Sequence, residues 1–134
     1  FSRDVVEQAK EAGYVSTLSG RKRFIPELAA KNRNTRAFGE RIAINTPIQG
    51  TSADLIKKAM IEIHAALAKS DLKARMLLQI HDELLFELPP EELTPCVRLV
   101  ETIMRKAIKL DVPIVLDARC GKNWMELEKL DIKG

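Results

Sequence analysis

The sequence has few of the side chains that build disulfide-bonded or zinc-held folds, because its 134 residues include two cysteines and two histidines. Cys96 and Cys120 are far apart, form no CxxC pair, and have too few histidines to complete a zinc site. We therefore expect two reduced thiols with structural roles. His64 falls in an amphipathic segment, and we interpret it as a structural residue and not as a metal ligand.

Long apolar runs and repeats are also missing. No stretch approaches the roughly 18 apolar residues that a membrane span requires, and the first residues lack the charged-then-apolar layout of a secretory signal. The sequence shows no internal repeat, low-complexity tract or linker. With 46% hydrophobic and 31% charged residues, it predicts a cytoplasmic globular domain, or part of one, without a membrane partner.

Positive charge is concentrated in one segment, although the net charge is only +3. Residues 20–41 hold two acidic side chains against seven basic ones, which are Arg21, Lys22, Arg23, Lys31, Arg33, Arg36 and Arg41. Such clustering predicts a polyanion-binding surface. On composition alone, a solvated charged face is an equally good interpretation.

Apolar residues at steps of three and four predict helices at about 2–12, 34–45, 51–67 and 92–109. Pro47 should separate the second helix from the third, because proline lacks a backbone donor and disfavours helical geometry at the preceding residue. Thr51 or Ser52 would then cap the third helix. Asp54 would lie in its first turn, where a carboxylate suits the helix dipole.

Extended segments are predicted around two turns and near the C-terminus. The Ser19-Gly20 pair, followed by three cations, suggests a hairpin or tight turn. Two short apolar runs at 76–80 and 84–88 predict a pair of antiparallel strands. A further strand is expected at about 112–119, where β-branched and apolar residues are frequent.

The connection between the two apolar runs departs from the usual turn chemistry. It reads His81-Asp82-Glu83, without the glycine or asparagine that favours the positive φ of two-residue turns. Local exceptions of this kind commonly mark functional sites. Carboxylate oxygens suit hard ions such as Mg²⁺, but two-metal phosphoryl transfer needs at least one more aspartate from another strand. From the spacing alone, a solvated acidic turn is the favoured interpretation.

Four blocks of the sequence match, in order, the motifs of one known family. Residues 79–87 read Gln-Ile-His-Asp-Glu-Leu-Leu-Phe-Glu, and residues 14–23 read Tyr-Val-Ser-Thr-Leu-Ser-Gly-Arg-Lys-Arg. Residues 40–54 run from Glu-Arg-Ile-Ala to Thr-Ser-Ala-Asp, and residues 121–124 read Gly-Lys-Asn-Trp. The first of these closely resembles the third polymerase motif of family A DNA polymerases, the bacterial DNA polymerase I type. The other three blocks are similar to the segment after the fingers nucleotide helix, a specific family block and the usual C-terminal ending.

The resemblance implies an α+β fold. An antiparallel palm sheet, made of a hairpin at 74–88 and the strand near 112–119, would be packed by helices and joined to part of the fingers base of a right-hand polymerase domain. Residues 1–134 would be one fragment, with 1–50 as fingers base and DNA track and 51–134 as palm. The implied activity of the full-length parent is template-directed DNA synthesis from deoxynucleoside triphosphates. A bacterial nucleoid is the expected setting, with phage and organellar sources as alternatives.

The resemblance also assigns roles to individual residues. Asp82 would bind the two catalytic Mg²⁺ ions, for which Mn²⁺ can substitute, while Glu83 would support that site and His81 would order the primer terminus. The residues implied to contact the primer-template DNA are Arg41, Asn45, Gln49, Arg21, Lys22 and Arg23, with Arg23 the first choice among the last three. Amide donors can check pair shape in the minor groove without reading sequence, because acceptors are present there at every base pair.

Two family features are absent from the 134 residues. One is the Asp-Tyr-Ser-x-Ile-Glu motif with the second catalytic aspartate, and the other is the fingers helix that grips the incoming triphosphate. The Ala118-Arg119-Cys120 stretch also departs mildly from the acidic or polar residues expected there. We therefore expect the isolated fragment to be inactive, with half of a metal site. We also expect it to self-associate through an exposed sheet edge.

Two other classes stay open as alternatives. The first is a noncatalytic nucleic-acid-binding module derived from a polymerase, which would lack the partner aspartate upstream. The second is a His-Asp metal phosphohydrolase. That class needs several additional histidines, and beyond His81 this sequence offers only His64.

Overall fold

The computed structural model describes residues 1–130. Helices cover Ser2–Ala12 (α1), Arg33–Ala68 (α2) and Leu93–Lys106 (α3), with short 3-10 turns at Pro26–Ala29 and Pro90–Glu92. The strands are Tyr14–Ser16 (β1), Lys22–Phe24 (β2), Arg75–Ile80 (β3), Glu83–Glu87 (β4), Ala118–Cys120 (β5) and Glu128–Leu130 (β6). They pair in sequence order as three separate antiparallel hairpins, so the mixed α and β content predicted from the sequence is confirmed.

The chain divides into two compact units, Phe1–Lys57 and the residues from Lys58 onward. Within the described residues, no helix combines the length and apolar character needed to cross a membrane.

The first unit is built on α1 and on the β1–β2 hairpin. As predicted, α1 ends at Gly13, which has a φ of 78° and donates its N–H to the Ala9 carbonyl at 2.9 Å. Positive φ costs glycine little, so this residue can stop the helix and start β1 at once. The buried core of the unit consists of Ala9, Val15, Ile25, Leu28 and Ala43.

The prediction that Pro47 separates two helices is wrong, because α2 runs through it. Proline 47 still removes one N–H from the helix, and an interior proline costs about 3 kcal/mol. Contacts with the β1–β2 hairpin lie just beyond this point and offset that cost: the Leu18 N–H donates to the Thr51 hydroxyl at 3.0 Å, and Arg21 reaches Asp54. Thr51 is therefore a buried mid-helix residue and not a cap.

The start of α2 is capped by a residue that the sequence prediction did not single out. The Asn32 side-chain oxygen accepts the N–H groups of Asn34 at 2.8 Å and Thr35 at 3.2 Å. Asparagine is a preferred residue at this position because it satisfies backbone donors that the first turn leaves free. This cap fixes where the long helix begins.

The second unit buries apolar residues from several elements. The predicted stripe of α2 continues here with Ile63 and Leu67, and α3 buries Cys96 and Met104. The Glu92 carboxylate accepts the N–H groups of Lys73 and Ala74 at 2.8 to 3.1 Å, which ties the turn before α3 to the entry of β3. These contacts between a side chain and the backbone lie directly before the first residue of the β3–β4 hairpin.

Both cysteines are free thiols, as predicted. Cys96 is buried, and its burial, together with the nearby Glu92 carboxylate, raises the pKa of the thiol. A raised pKa keeps the sulfur protonated and unreactive at neutral pH. Cys120 is half-buried in β5.

The predicted strand at 112–119 is wrong for most of its length. Only Ala118 and Arg119 are extended in a strand, and β5 pairs with β6 and not with the β3–β4 hairpin. Val115 is 81% exposed, so its β-branched side chain does not bury against a sheet. Pro113 has no N–H for a ladder, and the carbonyl of Ile114 is taken by Arg105 at 3.3 Å. A single sheet joining 74–88 to 112–119 is therefore not present in residues 1–130.

Candidate functional sites

The His81-Asp82 turn joins β3 to β4 as predicted. Ile80 pairs with Glu83, so His81 and Asp82 form the two-residue connection. His81 has a φ of 52°, and between residues 1 and 130 it is the only non-glycine residue with positive φ. A left-handed conformation costs a residue with a Cβ roughly 1–2 kcal/mol. The Gln79 amide helps to hold the turn by donating to the His81 carbonyl at 2.6 Å.

The turn presents its side chains to solvent. His81, Asp82 and Glu83 are all exposed. His81 and Asp82 form the turn itself, and Glu83 is the first paired residue of β4. An irregularity between Met76 and Leu78 adds a residue to β3, and bulges of this kind re-aim side chains near functional sites. The hairpin therefore fixes the backbone of two adjacent carboxylate residues at its tip.

The donor chemistry of this turn suits a hard divalent ion only in part. Carboxylate oxygens are the ligands that Mg²⁺ prefers, and Asp82 and Glu83 supply them. Within residues 1–130, however, no group of three or more histidine, cysteine, aspartate or glutamate side chains is placed to hold a metal. His64 is exposed on α2 and adds nothing to such a group. The turn can contribute ligands to a metal site, but the described residues do not complete one.

A row of three predicted DNA contacts lies along α2. Arg41, Asn45 and Gln49 are spaced four residues apart, and all three are exposed. Because α2 is continuous through Pro47, they form one row that rises about 12 Å along the helix. The predicted helix break would have placed Gln49 beyond a turn. The alignment of these three residues in one row was therefore not predicted from the sequence and is seen only in the structure.

The three consecutive cations of the β1–β2 hairpin point in different directions. The Arg21 guanidinium pairs with Asp54 at 2.7 Å and donates to the Gly50 carbonyl at 3.2 Å. The Lys22 ammonium lies 4.3 Å from the centre of the Tyr14 ring. Arg23 donates to the Thr46 hydroxyl at 3.5 Å, on the side of the hairpin that faces α2. They do not act as one cationic cluster.

Arg21 belongs to a set of polar contacts that we call the hairpin clasp, made of Thr17, Arg21, Gly50, Thr51 and Asp54. The Thr17 hydroxyl accepts the Arg21 N–H at 3.2 Å, and a Cβ added to Gly50 would lie 2.6 Å from the Thr17 methyl group. The hairpin and helix thus approach closely at Gly50. Sequence reasoning missed Asp54 as a partner because 33 residues separate it from Arg21.

The carboxyl group of Asp54 is the charged centre of the clasp. The Thr17 hydroxyl, followed by the Arg21 guanidinium and the Lys57 ammonium, holds its pKa below the ordinary value of 3.8, although burial opposes this effect. A lowered pKa in the folded state means that ionised Asp54 stabilises the fold. That contribution is complete above the unfolded-state pKa and is lost as the pH falls through the folded-state value.

Asp54→Asn is expected to loosen the β1–β2 hairpin at neutral pH. We expect faster hydrogen exchange at the backbone amides of residues 14–24, since the variant keeps the shape of the side chain but loses the charge that holds Arg21. The difference from the wild type should begin to shrink below the ordinary pKa of 3.8 and should vanish once the pH falls through the lower folded-state pKa, where the wild-type carboxylate is also neutralised. Glu40→Gln, which removes an exposed pair with Lys10 in the same unit, is the matched control. Equal exchange in Asp54→Asn and wild type at pH 7 would contradict a stabilising clasp.

Comparison with known proteins identifies the family. The family model for DNA polymerase family A matches residues 1–126. The chain therefore belongs to DNA polymerase family A. It is 52% identical over 126 residues to DNA polymerase I of Bacillus subtilis strain 168, and 47% identical over 126 residues to DNA polymerase I of Geobacillus stearothermophilus. Each alignment covers 94% of this chain and 14% of the relative.

A solved structure gives the same result at the level of the fold. The polymerase domain of Pol1 from M. smegmatis, in complex with DNA primer-template and dNTP, superposes with a TM-score of 0.81 at 50% sequence identity. The match covers 84% of this chain and 20% of that one. The chain thus spans about one seventh of the length of the curated relatives it matches.

Proposed function

We propose that the protein carrying this chain is a DNA-directed DNA polymerase that adds deoxynucleotides to a primer 3′ hydroxyl. The observation that carries the proposal is the family match over residues 1–126, together with the likeness to a polymerase domain bound to DNA primer-template and dNTP. Primer-template DNA and deoxynucleoside triphosphates are the proposed partners. A location at the bacterial nucleoid is part of the proposal, and the bacterial origin of the relatives supports it.

In this proposal Asp82 is a ligand of the catalytic metal. The exposed two-residue turn supports the role, since a paired ribbon fixes the backbone that carries the carboxylate. Glu83, at the first position of β4, supports the same site, and His81 orders the sugar and phosphate of the primer end. Bound Mg²⁺ or Mn²⁺ would supply charge neutralisation at the reacting phosphate and activation of the 3′ hydroxyl. The described residues place no third ligand beside the turn, so in this proposal a part of the polymerase outside residues 1–130 supplies the other carboxylate.

The row of Arg41, Asn45 and Gln49 is the proposed contact with the duplex. A length of about 12 Å corresponds to roughly three to four base pairs at 3.4 Å per step. The amides of Asn45 and Gln49 can donate to purine N3 and pyrimidine O2, which every base pair presents in the minor groove. Arg41 adds a cation for the phosphate backbone, and its guanidinium also lies 5.9 Å from the Phe38 ring centre.

The three cations of the β1–β2 hairpin have two proposed roles, which are phosphate binding and stabilisation of the hairpin. Lys22 and Arg23 are exposed and can make salt-sensitive phosphate contacts. Arg21 is already paired with Asp54, so we assign it to holding the hairpin that carries the other two. This changes the interpretation from the sequence, in which all three cations contact phosphate and Arg23 is the first choice.

Primer extension tests the proposed function. The polymerase that contains this chain should extend a labelled primer on a template in the presence of Mg²⁺ and deoxynucleotides, and it should stop when Mg²⁺ is chelated. Residues 1–134 alone should not extend the primer. Duplex binding without extension by the longer protein would favour the noncatalytic binding module, and extension by residues 1–134 would overturn the incomplete metal site.

Self-association of residues 1–134 through the β3–β4 hairpin is a further expected result. Within residues 1–130 these strands pair only with each other, and Leu77 and Leu78 are 50% and 48% exposed on β3. Unpaired strand edges with apolar side chains recruit other chains. Sedimentation across a range of concentrations should show dimers, and Leu78→Lys should shift the equilibrium to monomer. Val115→Lys, at an exposed apolar residue outside the hairpin, should not. A monomer at every concentration would contradict this expectation.

A further inference from the structure

The β1–β2 hairpin has two faces with different chemistry. Tyr14 pairs with Phe24 and Ser16 pairs with Lys22, so these four side chains share one face, which we call the outer face. Val15 and Arg23 are paired on the opposite face, where Val15 belongs to the buried core and Arg23 reaches Thr46 on α2. The hairpin is therefore anchored on one side and open to solvent on the other.

The outer face carries two aromatic rings and a cation. The Tyr14 and Phe24 ring centres are 5.6 Å apart with an interplanar angle of 60°, and the Lys22 ammonium lies over the Tyr14 ring at 4.3 Å. Cross-strand pairing alone accounts for the contact between the rings. It does not account for the exposure of Phe24, which is 71% accessible although large apolar side chains are usually buried.

This combination matches the chemistry of an unpaired nucleotide. Bases stack on aromatic side chains without regard to sequence, because every base has a π face, and a neighbouring ammonium can pair with the phosphate. The surrounding segment, residues 20–41, carries seven basic side chains against two acidic ones, so it attracts a polyanion. A neutral or cationic partner would not match that charge.

We propose that the outer face binds single-stranded DNA, with a base stacked on Phe24 and its phosphate paired with Lys22. The inference rests on the proposed polymerase function, because a template ahead of the primer end is single-stranded. The hairpin clasp contributes to this role, since the bonds from Arg21 to Asp54 and from the Leu18 N–H to Thr51 fix the hairpin on α2 and leave the outer face free. Preorganisation of this kind lowers the entropic cost of binding.

Two DNA ligands test the proposal in the full-length polymerase that carries this chain. One is a primer-template with a 5′ single-stranded extension that contains 2-aminopurine, and the other is a blunt duplex of the same paired length. Phe24→Leu keeps the apolar bulk but removes the ring, and Phe24→Tyr restores a ring. Leu18→Ala, at a residue of the same hairpin that is 72% exposed, is the matched control.

We expect Phe24→Leu to weaken binding of the extended DNA about tenfold and to leave binding of the blunt duplex unchanged. Lys22→Gln should act in the same direction and reduce the salt dependence of binding. The wild type and Phe24→Tyr should quench the 2-aminopurine fluorescence on binding, whereas Phe24→Leu should not. Leu18→Ala should behave as the wild type with both ligands.

Two results would overturn the inference while leaving the polymerase function intact. One is unchanged affinity of Phe24→Leu for the extended DNA, and the other is an equal loss of affinity for both ligands, which would indicate a structural role. If the wild type bound neither ligand, the proposed polymerase function itself would fail. The blunt duplex thus separates the two failures.

Discussion

Asp82→Ala in the full-length polymerase is expected to reduce primer extension about a thousandfold or more, because a metal ion contributes several kcal/mol of transition-state stabilisation and each 1.36 kcal/mol is tenfold in rate. The loss should appear in the rate of nucleotide addition and not in duplex affinity. Asp82 is exposed at the end of the β3–β4 hairpin and forms no hydrogen bond with another described side chain, so its removal should not disturb the fold. Single-turnover extension and equilibrium binding of primer-template separate the two quantities.

Two carboxylates of β4 calibrate the effect of Asp82→Ala: Glu87 is the control, and Glu83 has the proposed supporting role. Glu87 lies at the far end of β4 and pairs with Arg75 at the protein surface, so Glu87→Ala should leave extension close to that of the wild type. Glu83→Gln should give an intermediate loss, in keeping with a supporting role. If Asp82→Ala retained synthesis, or if Glu87→Ala were equally impaired, the assignment of Asp82 as a metal ligand would be wrong.

The double variant Asn45→Ala and Gln49→Ala is expected to weaken duplex binding roughly tenfold or more, since each lost hydrogen bond is worth about 0.5–1.5 kcal/mol. Both amides lie on the exposed row of α2 and point away from the core of the first unit. The loss should be similar for duplexes of different sequence, because the minor-groove acceptors occur at every base pair. Discrimination against a mismatched primer end should fall as well.

Asn34→Ala is the matched control for the double variant. It removes another exposed amide from α2, near the start of the helix and outside the row. Fluorescence anisotropy with matched and mismatched primer ends measures both the affinity and the discrimination. Equal losses in Asn34→Ala and the double variant would point to a general effect on the helix, and a sequence-dependent loss would contradict shape-based contact.

The sequence predicted the local elements well where one strong signal decides the structure. Gly13 ends α1 because glycine adopts a positive φ at lower cost than other residues. The apolar runs on either side of His81 form the predicted hairpin. The absence of glycine and asparagine from that turn was also visible in the sequence. The structure shows its physical form, a histidine with a φ of 52°.

The errors arise where distant contacts outweigh local preference. Pro47 predicts a helix break, but the hairpin clasp holds the following turn of α2 in place. Val115 and its neighbours have strand composition, yet which strands pair depends on residues far away in the chain. For the same reason the pairing of Arg21 with Asp54 could not be predicted from spacing. Among the candidate site residues, Arg41, Asn45 and Gln49 form one row because α2 continues through Pro47.

The measurement that bears most directly on Asp82 is Mn²⁺ binding to the full-length polymerase in the presence of primer-template and a deoxynucleoside triphosphate. Electron paramagnetic resonance counts the bound ions without requiring turnover. Asp82→Asn keeps the size of the side chain and removes its charge, so we expect it to lose tightly bound Mn²⁺, while Glu87→Gln binds as the wild type does. Equal Mn²⁺ binding by Asp82→Asn and the wild type would contradict the role of Asp82 as a catalytic metal ligand.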